Sequence, residues 1–269
     1  NSFRILGRLG NGSFGEVTRV ASSGGHEYAL KSLKPSTKRT SYNNFDHFRV
    51  EAQIHESVAG HPHILPYYGN FEADGKFHVL SDVCEGGNLD SFIRKRKLLG
   101  RDNEVKRIFL QILSAVRHCH AKGVAHRDIK PENVLAANAE GAKFYLSDFG
   151  LSVRERWSCH FGSGTRPYMS PECLGFDLLA EEYDAFASDV WSLGIILLEM
   201  VTGDRPWNVA HPVTDPRYSH YLRNRESLRA YHHIHDEFMP VLIRMLHPDP
   251  LDRITLDELE ESIKSINHF

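Results

Sequence analysis

The chain has 269 residues, of which 41% are hydrophobic and 25% charged. Its 32 Lys and Arg against 35 Asp and Glu leave a formal charge of −3. That balance excludes a mostly disordered chain and, by bulk electrostatics, a basic nucleic-acid binder.

The first third reads as strands. Phe3 to Leu9 is apolar-rich, Gly10 to Gly15 is a turn, and Val17 to Ala21 resumes a strand. Ser22 to Gly25 is a second turn and Glu27 to Leu33 a third strand. Asn43 to Val58 takes helical spacing, and two strand-like runs follow Pro62, at Ile64 to Phe71 and Lys76 to Val83. A composition shift at Gly86 and Gly87 predicts a flexible joint. Beyond it, Val105, Ile108, Phe109, Ile112, Leu113 and Val116 mark an amphipathic helix. Ala187 to Met200 is apolar on nearly all sides, which predicts a central buried helix. Phe238 to Leu246 and Leu256 to Ile266 supply further helices. Strands followed by helices predict an α+β fold, and the length predicts one large domain or two lobes.

The longest apolar run, Val190 to Val201, is interrupted by Ser192, Gly194 and Glu199 and reads as too short to span a membrane. No signal peptide opens the chain, since Asn1 to Ile5 leads straight into the Gly-rich turn. The cysteines, Cys84, Cys119, Cys159 and Cys173, form no Cys-x-x-Cys pair and predict a reduced intracellular protein, cytoplasmic or nuclear. The 17 histidines group as His61 with His63, His118 with His120, and His232, His233 and His235. None is joined by cysteines at zinc-finger spacing.

Gly10-Asn11-Gly12-Ser13-Phe14-Gly15 is a Gly-x-Gly-x-x-Gly motif, whose glycines let backbone amides approach phosphate oxygens. A dinucleotide site would open a helix here and carry an acid about twenty residues on. Instead a strand follows, and the residue about twenty on is a base, Lys31. Lys31 needs a helical carboxylate to hold it. Glu51 sits at the helix centre and is preferred over Glu56, nearer the end. The decisive block is His126-Arg127-Asp128-Ile129-Lys130-Pro131-Glu132-Asn133. Its carboxylate can accept a hydroxyl proton, its lysine can stabilise a transferring phosphoryl group, and its amide oxygen can bind a hard cation. Fifteen residues beyond Asn133 comes Asp148-Phe149-Gly150, a second hard ligand on a turn.

In this order, the motifs resemble the eukaryotic protein kinase family over the whole chain, in a style similar to the calcium/calmodulin-dependent-like serine/threonine kinases. The resemblance implies a bilobal fold, with an antiparallel sheet and one main helix in an N-lobe (1–85) and a mainly helical C-lobe (86–269). It implies ATP and Mg²⁺ as cofactors. Leu9, Val17, Ala29 and Leu135 would enclose adenine, Gly10, Gly12 and Gly15 would cover the phosphates, and Lys31 would bind them while paired with Glu51. Asp128 would be the catalytic base, Lys130 the γ-phosphate contact, and Asn133 and Asp148 the metal ligands. The lysine two residues after Asp128 is similar to the serine/threonine pattern. The Asp82 carbonyl and Cys84 amide would take adenine, with Ser81 as a small gatekeeper that leaves the cavity behind it open to inhibitors carrying an extra aromatic group.

Other positions follow from the same resemblance. Thr165 would bond Asp128 and Lys130, Asp189 would hold the catalytic-loop backbone, and Glu172 of Ser170-Pro171-Glu172 would pair with Arg253. In the activation segment, Asp148 to Glu172, Phe161 occupies the usual phosphoacceptor position. Two readings stay open: Phe161 packs the segment and no phosphate is needed, or Ser158 or Ser163 takes one. Glu132, which also borders the nucleotide, and Glu199 would favour basic residues upstream of the target in a protein substrate, while Asn88 weakens that preference. His55 stands where the family carries an apolar side chain facing Phe149. Rival readings are a scaffolding pseudokinase, a small-molecule kinase and a nucleotide-binding module. Lys31, Asp128 and Asp148 are all present, as is the Thr165 to Glu172 stretch that docks peptides in the family. The Trp207 to Tyr221 stretch matches no expectation.

Overall fold

The computed structural model describes residues 3–12, 15–34, 45–176, 179–230 and 232–269. In the N-lobe, β1 (Arg4–Gly12), β2 (Gly15–Ala21) and β3 (Glu27–Leu33) precede α1 (Asp46–Val58), with β4 (Tyr67–Ala73) and β5 (Lys76–Ser81) after it. The strands form one antiparallel sheet in the order β1-β2-β3-β5-β4. Alternation along β3 and β5 sends Leu33, Phe77 and Val79 inward onto Phe48 and Ala52 of α1, forming a small separate core. Asn43 and Asn44, where the helix was expected to begin, lie outside the described residues, as do Ser13 and Phe14. The expected strand at Ile64 begins later, at Tyr67. Ile64 instead forms an isolated bridge with Leu146, tying the N-lobe to the C-lobe.

The C-lobe contains α2 (Leu89–Arg94), α3 (Asp102–Ala121), β6 (Val134–Ala136), β7 (Phe144–Leu146), β8 (Trp157–Ser158) and β9 (Tyr183–Asp184). The helices α4 (Ala185–Thr202), α5 (Pro216–Arg223), α6 (Met239–Met245) and α7 (Leu256–Ser265) complete it. All six periodic apolar residues of α3 are buried. Asp184 caps α4 by accepting from the Phe186 and Ala187 amides, and Gly203 closes it in a left-handed conformation at φ 77°. The helix is longer than the apolar run that predicted it. Its 18 residues are long and apolar enough to cross a membrane by length and composition, and most of them are buried inside the C-lobe. Thr255 and Glu258 form a reciprocal capping box on α7.

Two expectations change. Gly86 and Gly87 are not a loose joint. The Gly86 amide donates to the Ala136 carbonyl (3.1 Å) and the Ala136 amide to the Gly87 carbonyl (2.8 Å), strapping the connection to β6. A Cβ on Gly86 would lie 2.0 Å from the Asn138 carbonyl oxygen, so glycine here permits close packing rather than motion. The unexplained Trp207 to Tyr221 stretch supplies aromatic side chains to the core: Trp207, Tyr218 and Tyr221 are buried, while Val213 between them is 85% exposed. Trp207 stacks among Trp191, Tyr218 and Tyr221 with ring centroids 5.0–5.7 Å apart.

Candidate active site

The β register aligns the N-lobe side of the site. Val17 faces Lys31, Lys31 faces Val79, and Ala29 faces Ser81 across adjacent strands. Directly opposed residues share a face, so Val17, Ala29, Lys31 and Ser81 line one surface of the sheet. Leu9 is partly exposed on β1, and Ala29 and Ser81 are buried. Gly10 has open space where a Cβ would go, whereas a Cβ on Gly15 would lie 2.2 Å from the Ser32 carbonyl oxygen. Gly15 is therefore required by β3 itself, and Gly10 is not required by any neighbour within the protein. The backbone of Gly12 ends β1 opposite Gly15. Past β5, the Asp82 carbonyl and Cys84 amide have no hydrogen-bond partner among the described residues. Leu135, on β6, bridges to Asn88 below this segment.

Lys31 joins the lobes. Its Nζ donates to Glu51 Oε1 at 2.8 Å and to Asp148 Oδ1 at 3.0 Å. Glu51 is thus the helical partner, while Glu56 is exposed. Burial alone would lower the Lys31 pKa; the Glu51 and Asp148 carboxylates outweigh it and raise the value above that of an ordinary lysine. Burial pushes Asp148 the other way, and Lys31 overcomes it to hold that carboxyl below its usual range.

The C-lobe side is a closed hydrogen-bond network. Lys130 Nζ donates to Asp128 Oδ2 (2.7 Å) and Thr165 Oγ1 (2.8 Å), and Thr165 Oγ1 donates to Asp128 Oδ1 (2.7 Å). Asn133 Nδ2 donates to the Asp128 carbonyl at 2.8 Å, leaving its amide oxygen without a donor among the described residues. Lys31 occupies one oxygen of Asp148. A carboxylate and an amide oxygen suit a hard divalent cation that keeps waters and phosphates as its other ligands, and suit a soft metal poorly. The residues therefore fit Mg²⁺.

Among the described residues four non-glycine residues have positive φ; Asp74 and Arg96 lie elsewhere, and two lie in the site. Arg127 and Asp148 both have positive φ, 67° and 64°. Such residues cost about 1–3 kcal/mol each and persist when their surroundings hold them. For Arg127 the holder is Asp189, which accepts from the His126 and Arg127 amides at 2.9 and 2.8 Å. His120 adds a third contact, Nε2 to Asp189 Oδ2 at 2.8 Å, which sequence reading missed. Glu172 and Arg253 pair at 2.6 and 3.0 Å as expected.

His55 stacks between Phe149 and Tyr67, with centroids 4.9 and 5.1 Å away. Its Nε2–H donates to the Leu65 carbonyl at 2.8 Å. Burial lowers its pKa to about 4, so the ring is neutral at neutral pH.

The activation segment is held by side chains of the protein. Trp157 and Ser158 pair with Asp184 and Tyr183 as β8 and β9. Arg156 grips Asp184, and Arg127 donates to the His160 carbonyl (3.0 Å). Phe161 packs on Tyr183 with ring centroids 5.4 Å apart. Ser158 is 3% exposed, so its hydroxyl is not presented to another enzyme. Glu199 accepts from the Tyr168 hydroxyl (2.8 Å) and faces Arg205, while Glu132 is exposed. Of the two expected substrate carboxylates, only Glu132 is open to a peptide.

A family model for the protein kinase domain matches residues 3–263. A "Negative regulator of sexual conjugation and meiosis" from Schizosaccharomyces pombe is 32% identical over 100% of this chain and 61% of its own length. "Serine/threonine-protein kinase SKS1" from Saccharomyces cerevisiae is 30% identical over 84% of this chain and 47% of its own. "CBL-interacting serine/threonine-protein kinase 9" from Arabidopsis thaliana is 32% identical over 95% of this chain and 56% of its own. The chain thus spans about half to three-fifths of these relatives. With the family model matched almost from end to end, the chain belongs to the protein kinase domain family.

Proposed function

We propose that this chain is a serine/threonine protein kinase domain that transfers the γ-phosphoryl group of ATP to Ser or Thr hydroxyls of proteins. The whole chain, 1–269, acts as one catalytic domain, with the N-lobe at 1–85 and the C-lobe at 86–269. The observation that carries the reading is a pair of contact sets held side by side: Lys31 reaches Asp148 across the lobes at 3.0 Å, Asp128 holds Lys130 and Asn133 at 2.7 and 2.8 Å, and the Ser147 amide, next to Asp148, donates to the Asn133 carbonyl at 2.9 Å. The names of the relatives support the serine/threonine assignment, and the CBL-interacting one supports the calcium/calmodulin-dependent-like motif style.

In this reading Asp128 accepts the proton of the attacking hydroxyl. Thr165 and Lys130 orient its two oxygens, and Lys130 offsets charge on the transferring group. Lys31, fixed by Glu51, binds the α- and β-phosphates. Gly10, Gly12 and Gly15 cover them with backbone. Leu9, Val17, Ala29 and Leu135 hold adenine, whose edge takes the Asp82 carbonyl and the Cys84 amide, with Ser81 behind. Asn133 and Asp148 hold Mg²⁺, which neutralises phosphate charge when bound. Exposed Glu132 favours a basic side chain upstream of the target. The free cysteines support an intracellular setting. The test is transfer of radiolabelled γ-phosphate to Ser, Thr and Tyr peptides with acid analysis of the labelled residue. Label on Ser or Thr supports the reading; label on Tyr alone, or on none, overturns it.

A further inference from the structure

The cations of the site are almost all committed. Lys31 is held by Glu51 and Asp148, Lys130 by Asp128 and Thr165, and Arg127 donates to the His160 carbonyl. Farther out, Arg205 faces Glu199 and Arg253 grips Glu172. Arg166 is different. It is exposed, and among the described residues no carboxylate lies within ion-pair distance of it and no hydrogen bond engages its guanidinium.

Its position gives this meaning. Arg166 follows Thr165, whose hydroxyl touches Asp128. It opens a 3-10 turn, Arg166–Tyr168, that is rigidly seated: the Tyr168 amide donates to the Thr165 carbonyl at 2.9 Å, and Tyr168 and Met169 are 3% and 5% exposed. Arg166 therefore springs from a fixed backbone platform, one residue along the chain from the threonine that touches Asp128. The flanking residues leave it uncovered, because Gly162 and Gly164 carry no side chains. Gly164 could carry none, since a Cβ there would meet the Arg127 carbonyl oxygen at 2.7 Å with φ at 132°.

Resting on the phosphotransfer reading above, we propose that Arg166 selects protein substrates with an Asp or Glu side chain immediately beside the phosphorylated Ser or Thr. The acceptor hydroxyl has to reach Asp128 alongside Thr165. An extended peptide advances about 3.3 Å per residue, close to the ~3.8 Å step from Thr165 to Arg166. Arg166 thus meets the nearest neighbours of the acceptor rather than distant positions. A guanidinium matches a carboxylate in charge and in planar, bidentate geometry. This preference is separate from the one set by Glu132, which concerns bases and another part of the groove.

The test is a positional peptide library, with Asp, Ala or Lys placed in turn at each position flanking the acceptor, assayed with wild type, Arg166→Ala and Arg166→Glu. The wild type should prefer Asp over Lys at one adjacent position by about three- to tenfold in kcat/KM, the effect lying mainly in KM. The preference should shrink as salt is raised, since the pair is exposed. Arg166→Ala should flatten it and Arg166→Glu should reverse it at that same position. Transfer by the wild type with no acidic preference beside the acceptor overturns the role of Arg166 and leaves the kinase reading standing. So does a preference that survives Arg166→Glu. Absence of transfer to every peptide overturns the kinase reading itself and the proposal with it.

Discussion

Replacing His55 by leucine should flatten the dependence of stability on pH. In the folded protein the His55 pKa is lowered to about 4 from 6.5, first by burial, and further by Lys31 and His126, against the Leu65 carbonyl and Asp148, which raise it. The unfolded chain therefore binds the proton more readily. The stability that comes from keeping this ring neutral is fully present above the unfolded value of 6.5 and is lost as pH falls toward about 4. Between about pH 7.5 and about pH 5.5 the cost works out at roughly 1.3 kcal/mol. For a domain of this size that is a fall of about 3–5 °C in Tm. His55→Leu keeps an apolar contact with Phe149 and Tyr67 but leaves the Leu65 carbonyl without its donor, so it should start from a lower Tm. The readout is the change in Tm between the two pH values, compared between the two proteins. Thermal unfolding at both pH values should show the variant losing about 3–5 °C less than wild type. Equal losses would refute the argument that His55 is buried neutral against Phe149.

Three further outcomes follow. Glu172→Gln should cost about 3 kcal/mol in urea unfolding, because Arg253, with 1% of its side chain exposed, keeps its charge and loses its counterion; a loss under about 1 kcal/mol would contradict this. Ser158→Ala and Ser163→Ala, with phosphatase treatment, should leave kcat within about threefold, because Phe161, Arg156 and the β8–β9 pair already hold the segment; a loss of tenfold or more would show that a phosphate is needed. Ser81→Phe should abolish inhibition by adenine mimics carrying an extra aromatic group, and unchanged inhibition would contradict the placement of Ser81 behind adenine.

The sequence was most legible where chemistry restricts the choice of side chain. Lys31, Asp128, Lys130, Asn133 and Asp148 stand out because phosphate charge, a hydroxyl proton and a hard cation each demand particular groups. Helix α3 was legible because one buried face imposes its period on the apolar residues, and α4 because burial on nearly all sides makes it a continuous apolar run. What escaped depends on contacts between distant segments. Nothing local in His120 points to Asp189, 69 residues away. The two-residue strands β8 and β9 are too short to show alternation. Gly86 and Gly87 resembled a joint because glycine serves both mobility and close approach, and only the Asn138 carbonyl against Gly86 and the positive φ of Gly87 decide between them. Glu199 looked like a substrate carboxylate until Tyr168 and Arg205 were seen to engage it.

The central claim is that Asp128 accepts the proton while neighbouring groups bind the nucleotide. The most direct measurement is kcat for peptide phosphorylation together with the Kd for ATP and Mg²⁺, in wild type and Asp128→Asn. The account predicts a fall in kcat of about 10²–10⁴-fold with nucleotide affinity nearly unchanged. Wild-type kcat in Asp128→Asn would contradict it.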